Sequence, residues 1–194
     1  MKKLLITGFE PFGGENINPS WDAVRALPDE VGEYVLTKLS IPVVYGEAAE
    51  RVIEAADELL PDAIISVGQA GGRATITPEL VAINLRYAKT PDNKGNEPKD
   101  EAIINGGEAA HFSTIPARKI AEAIDLIGIP SQVSYSAGTY VCNDVLYTLL
   151  DKYKDKSVKV GFIHVPYSTE QNKEPSMKIE DIVKGLIVAI ENLD

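Results

Sequence analysis

The sequence predicts an α/β layered domain whose largely parallel sheet is covered by helices on both sides. Three observations carry this. Short apolar runs alternate with amphipathic segments along the chain. The runs lack strict apolar–polar alternation, as expected of strands buried on both faces. No internal repeat or composition break interrupts the pattern, so residues 1–194 are expected to form one domain.

The elements follow in order. Lys3 to Thr7 reads as a buried strand, and GFEPFGGENINP after it as a loop. Ser20 is placed as the cap of a short helix through Leu27, stopped by Pro28. Tyr34 to Val44 reads as extended. Ala48, Val52, Ala55 and Leu59 form one helical column, with Ala49, Ile53, Ala56 and Leu60 beside it, ending at Pro61. Ala63 to Gly68 is a second buried strand. Leu80 to Tyr87 reads as extended, one arm of a hairpin, and Thr90 to Gly107 as a long polar loop, a length often kept for function. A helix starts at Pro116, turns Ile120, Ile124 and Ile127 inward and stops at Gly128. Gln132 to Tyr135 reads as strand, Tyr140 to Lys152 as helix and Lys159 to Val165 as strand. The last helix carries Ile179, Ile182, Val183, Leu186 and Ile190 on one face, with Ser176 as its cap.

Composition narrows the function. Hydrophobic residues make up 44% and charged residues 25%, as in ordinary soluble proteins. The net charge of -10 repels phosphate backbones, so no nucleic-acid partner is expected. The opening MKKLLITGFEPF resembles a signal peptide only briefly, because Gly8 and Glu10 break its apolar run. No apolar run approaches the roughly 20 residues that span a bilayer. A single cysteine excludes an intramolecular disulfide and fits a reducing, cytoplasmic setting. With no HExxH, no CxxC and no histidine at ligand spacing from that cysteine, neither metal nor cofactor is expected.

Two histidines and one cysteine remain as chemistry. Cys142 shares helical spacing with Val145, Leu146 and Leu149, which suits a core thiol. Its position in the first turn of a helix after a tight turn suits a nucleophile, because free N–H groups and the positive end of the dipole favour a thiolate. His164 ends the apolar run 159–165. In a parallel sheet it would face the same crevice as the helix starts. His111 is read as structural and placed in a loop. Glu79, ringed by Ile76, Val81 and Ile83, is a carboxylate in need of a partner. GQAGGR at 68–73 leaves open a phosphate loop, and with it a nucleoside phosphorylase or hydrolase. A non-catalytic binding protein on the same fold is the other alternative.

The motifs GFEPFGG at 8–14 with Asn18-Pro19, GQAGGR at 68–73, ITPELVAIN at 76–84, PDN at 91–93, SAGTYVCN at 136–143 and HVPY at 164–167 lie in order along nearly the whole chain. In this set the sequence resembles the type I pyroglutamyl peptidases. The resemblance implies an α/β/α sandwich with a mixed, largely parallel sheet. It also implies a Cys142, His164, Glu79 triad acting through an acyl-enzyme on peptides with an N-terminal pyroglutamyl residue. Phe9 and Phe12, set in the glycine-rich loop, would wall the ring pocket, with Asn18, Gln69 and Ala70 binding or shaping it. A cytoplasmic homotetramer is implied as well. Lys89 stands where many members have arginine. It is kept as a candidate for the oxyanion region, where lysine retains the charge but loses the planar fork.

Overall fold

The computed structural model describes residues 1–194. Its first half runs β1 (Lys2–Phe9), α1 (Pro19–Ala26), β2 (Glu30–Val31), β3 (Tyr34–Ile41), α2 (Glu47–Leu59), β4 (Ala63–Gln69), β5 (Thr77–Pro78) and β6 (Val81–Ile83). The second half runs β7 (Ala110–Phe112), α3 (Ala117–Leu126), α4 (Val141–Tyr153), β8 (Lys159–Val165), β9 (Tyr167–Ser168), β10 (Ser176–Met177) and α5 (Ile179–Glu191). The main sheet has the order β2-β3-β1-β4-β8-β5. Its four inner strands are parallel, and β2 and β5 close the edges antiparallel. The sheet is therefore mixed and largely parallel, as the apolar runs predict.

Each strand feeds two cores, because successive side chains point to opposite faces. Leu4, Ile6, Ile65, Val67, Ile163 and Val165 pack under α1, α3 and α5. Leu5, Phe9, Ile64, Val160 and Phe162 pack under α2 and α4 on the other side. No helix is long and apolar enough to cross a membrane.

Gly8 sets the position of α1. A Cβ there would lie 2.6 Å from Trp21 Cα and 2.7 Å from Ser20 O, so only glycine lets the helix start rest on the strand. The expected cap at Ser20 is displaced. Pro19 occupies the first helical turn and Asn18 is the N-cap, its side chain accepting the Ser20 N–H. The buried Ser20 hydroxyl instead accepts the Phe9 N–H at 3.0 Å and donates to Asn18 Oδ1 at 2.8 Å.

Other expectations also move. Leu60 is the left-handed C-cap of α2, and its positive φ swings it off the packed face to 74% exposure. Ile127 lies beyond the end of α3 at the Gly128 turn and is 51% exposed, not inward. Strand β3 stops at Ile41, before Pro42. Of the segment Leu80 to Tyr87, only Val81–Ile83 is strand, paired antiparallel with β7. His111 lies on β7 rather than in a loop, with Nε2 3.1 Å from Asp151 Oδ1. Gln132 to Tyr135 makes one isolated bridge, Ser134 to Glu79, with a second at the neighbouring Ser131 to Ile76, but no strand. Its partner segment cannot extend the ladder, since Pro78 has no N–H and the Glu79 N–H is given to Phe162 O. The cap of α5 is Lys178, while Ser176 belongs to β10.

Candidate active site

Three parallel strands end at one crevice, the place where open α/β sheets bind ligands. Phe9 closes β1, Gln69 closes β4 and His164 lies one residue before the end of β8. The start of α4 arrives over the same edge. Its N-cap is Tyr140, which makes no side-chain capping bond. A Ser, Thr, Asp or Asn there would have filled one of the free N–H groups of the first turn. With tyrosine in that place, the N–H groups of Val141, Cys142 and Asn143 have no side-chain cap.

Cys142 is half-buried, and its position depends on Gly68. A Cβ on Gly68 would come within 3.0 Å of Cys142 Sγ, 2.7 Å of Phe162 Cζ and 2.9 Å of Phe162 Cε1. Gly68 is the register partner of His164. The thiol therefore lies on the same side of the sheet as the imidazole, above the strand next to it. The His164 ring packs tilted against Phe162 with centroids 4.7 Å apart.

His164 and Glu79 form a buried pair, Nδ1 to Oε1, at 2.7 Å. Glu79 follows β5, the edge strand that places Thr77 opposite His164. Burial would raise the Glu79 carboxyl, but the bonds from His164 and Arg73 hold it below its ordinary value, so it is ionised. Burial lowers His164, with Arg73 adding to the drop and Glu79 opposing it, so the imidazole is neutral at neutral pH. Cys142 is pushed up to about 12, first by burial and then by the Glu79 charge. Burial and the Glu79 charge thus oppose the thiolate that the helix start favours.

A small apolar pocket adjoins the sulfur. Phe9, Phe12, Asn18, Val43, Gln69, Tyr140, Val141 and Cys142 line it. Phe9 comes from the strand end rather than the glycine-rich loop, while Phe12 sits in that loop against the Tyr140 ring, at 6.4 Å. The Asn18 side chain is occupied, donating to Glu10 O and accepting from Ser20, so it shapes the pocket floor. Gln69 accepts from Gln171 Nε2 at 2.8 Å through its carbonyl, which leaves its NH₂ group to donate. Ala70 lies outside the lining and is bonded through its N–H to Val165 O. Lys89 is exposed, also outside the lining.

Sequence reasoning passed over Val43 and Tyr140 as pocket walls, and over Arg73. Arg73 Nη1 donates to Glu79 Oε1 and to Thr77 Oγ1, each at 2.7 Å, and Nη2 donates to Ser136 O at 3.0 Å. A signal for it exists in the sequence: Glu79 is a carboxylate in an apolar run that needs a partner, and Arg73 is the only cation in the GQAGGR motif just before it.

A lone thiol and a carboxylate-held imidazole, on one side of a parallel sheet at its carboxyl edge, define a cysteine-type hydrolase of α/β architecture. Comparison with known proteins specifies the kind. A sequence model of the family described as pyroglutamyl peptidase matches residues 2–194. The pyrrolidone-carboxylate peptidase of Thermosipho africanus is 50% identical over 195 residues, covering 97% of this chain and 95% of the relative. The crystal structure of Bacillus amyloliquefaciens pyroglutamyl peptidase I superposes with a TM-score of 0.96 at 45% identity, covering 100% of this chain and 97% of that one. The pyrrolidone carboxyl peptidase from Thermococcus litoralis gives 0.95 at 36% identity, with 100% and 93% covered. The chain belongs to the pyroglutamyl peptidase family.

Proposed function

We propose that this chain hydrolyses the bond after an N-terminal pyroglutamyl residue, releasing 5-oxoproline, with Cys142 as nucleophile, His164 as base and Glu79 as the group that orients it. The observation that carries the reading is the apolar pocket lined in part by Cys142, beside a strand whose His164 is tied to a buried carboxylate.

The pocket chemistry supports the substrate. A pyroglutamyl ring is small and uncharged, with one N–H donor and one carbonyl acceptor. Phe9, Phe12, Val43 and Tyr140 offer apolar walls, and the Gln69 NH₂ offers a donor for the lactam carbonyl. A free α-ammonium would lose its hydration there without gaining a carboxylate, so an uncyclised N-terminus is disfavoured.

The proton path follows from the tautomer. With its Nδ1–H donating to Glu79, His164 presents a bare Nε2 as base. As the sulfur attacks the carbonyl, the thiol proton passes to that nitrogen and Glu79 stabilises the imidazolium. N–H groups in the first turn of α4 stabilise the oxyanion. The imidazolium protonates the leaving amine, and water, deprotonated by the same histidine, hydrolyses the thioester. Such acid–base assistance contributes about 10²–10⁴-fold.

A pyroglutamyl amide reporter tests this, with and without iodoacetamide. Wild-type turnover, its loss on alkylation and its absence in Cys142→Ala are expected. Turnover surviving in Cys142→Ala would overturn the assignment of the nucleophile.

A further inference from the structure

Arg73 occupies a place that the reaction above does not use. It follows the turn after β4, where Gly72 has a φ of +85°, and its N–H returns to Ala70 O. That reversal carries the guanidinium to the acid. Its two nitrogens then bridge three segments: the acid at Glu79, the β5 edge at Thr77, and the stretch before the nucleophile helix at Ser136. Glu79 Oε1 receives both Arg73 Nη1 and His164 Nδ1, each at 2.7 Å, while the buried Oε2 has no partner. One carboxylate oxygen is thus shared between the base and a permanent cation.

We propose that Arg73 is a positioning residue for the reaction: it fixes the Glu79 carboxylate against His164 and ties that pair to the segment leading into Cys142. The fork gives the geometry, since a planar guanidinium can donate to a carboxylate and a carbonyl at once. The charge gives the electrostatics. The charged groups acting on His164 are Glu79 after β5 and Arg73 after β4, and the titratable Cys142 on α4 lies over Gly68, the register partner of His164. Of these, Arg73 alone is a permanent cation. It tempers the pull of Glu79, so the imidazole stays free of a proton and ready to take one from the thiol. The proposal rests on the catalytic reading of Cys142 and His164.

The test uses Arg73→Met and Arg73→Lys, with steady-state kinetics across pH on the pyroglutamyl amide reporter. Arg73→Met is expected to lower kcat by about 10- to 100-fold, part of the total acid–base contribution. KM should change little, because Arg73 does not line the ring pocket. Removing the cation raises the His164 pKa, so the acid limb of kcat/KM moves to higher pH. Arg73→Lys keeps the limb in place and recovers part of kcat. In a Glu79→Gln background the Arg73→Met change should add little, since both act through one oxygen. An unmoved acid limb in Arg73→Met, or an undiminished effect in the Glu79→Gln background, would overturn the proposal. If Arg73→Met fails to fold, Arg73→Lys alone decides: wild-type kcat there removes the role of the fork. Failure of the underlying reading would look different, because Cys142→Ala would then remain active.

Discussion

Replacing Gly68 by alanine should disable the enzyme through a single methyl group. The added carbon would sit 2.7 Å from Phe162 Cζ, 2.9 Å from Cε1 and 3.0 Å from Cys142 Sγ. Ordinary contacts lie at about 3.5–4.0 Å, so roughly 0.5–1 Å of relief is required. Phe162 is fully buried between Phe9 and the His164 ring, which leaves it nowhere to rotate. Phe162 can only shift together with the layer it packs in, which includes Val141 and Val145 of α4, so the start of that helix moves and carries the thiol with it. A misplacement of about 1 Å at reacting atoms costs about 10²-fold, and that is the expected fall in kcat. Overpacking should cost about 1–3 kcal/mol, and each kcal/mol lowers Tm by about 2–4 °C in a chain of this size. Reporter kinetics and a thermal melt followed by circular dichroism measure both. A folded Gly68→Ala protein with kcat within about threefold of wild type would show that the thiol does not depend on this contact, and the described crevice would be wrong.

Two further outcomes follow from the buried charges. The thiolate absorbance of wild type minus Cys142→Ala should stay absent between about pH 6 and pH 10, because the thiol is pushed up to about 12. A thiolate signal already present near neutral pH would replace the neutral resting pair with an ion pair. Asp144→Ala should remove the 2.6 Å bond from Arg86 Nε and the 2.8 Å bond from the Gly46 N–H. Breaking a fully buried ion pair costs about 3–5 kcal/mol, and because Arg86 is about a quarter exposed the expected loss is about 3 kcal/mol in urea unfolding; less than about 1 kcal/mol would refute its anchoring role.

Which parts of this architecture are legible in the sequence depends on where the determining contacts lie. The columns of α2 and α4 are local, so their periodicity alone places both helices. The inner strands are buried on both faces, which makes 63–68 and 159–165 readable as apolar runs. Gln132 to Tyr135 fails for the opposite reason: its β character depends on a partner 55 residues earlier, across Pro78, and the interrupted hydrogen bonding there is invisible locally. Asn18 and Ser20 are both good caps, and Pro19 decides between them. At the site, Cys142 and His164 stand out because their residue types are scarce. Arg73 did not, because an arginine in a glycine-rich turn usually faces water. Tyr140 was hidden by its place at a helix boundary, where its ring serves the pocket and its failure to cap leaves the helix N–H groups free.

The protonation state of the thiol decides which kind of cysteine peptidase chemistry the site can perform. A helix start favours a thiolate by about 0.3–1 kcal/mol, and up to about 2 in favourable geometry. Against that stand burial and the Glu79 charge, which push the thiol up to about 12. Burial and that charge act against the dipole and favour the protonated thiol at rest. The remaining charges nearly cancel, because the Glu79 carboxylate is matched by Arg73 and His164 is neutral. In the proposed mechanism, charge separation arises only when the thiol proton moves to His164. At that moment the imidazolium gains Glu79, and the new negative charge passes through sulfur to the substrate oxygen beneath the uncapped turn of α4. Under that mechanism, the groups that fail to stabilise a resting thiolate would stabilise the charge that the proposed reaction creates.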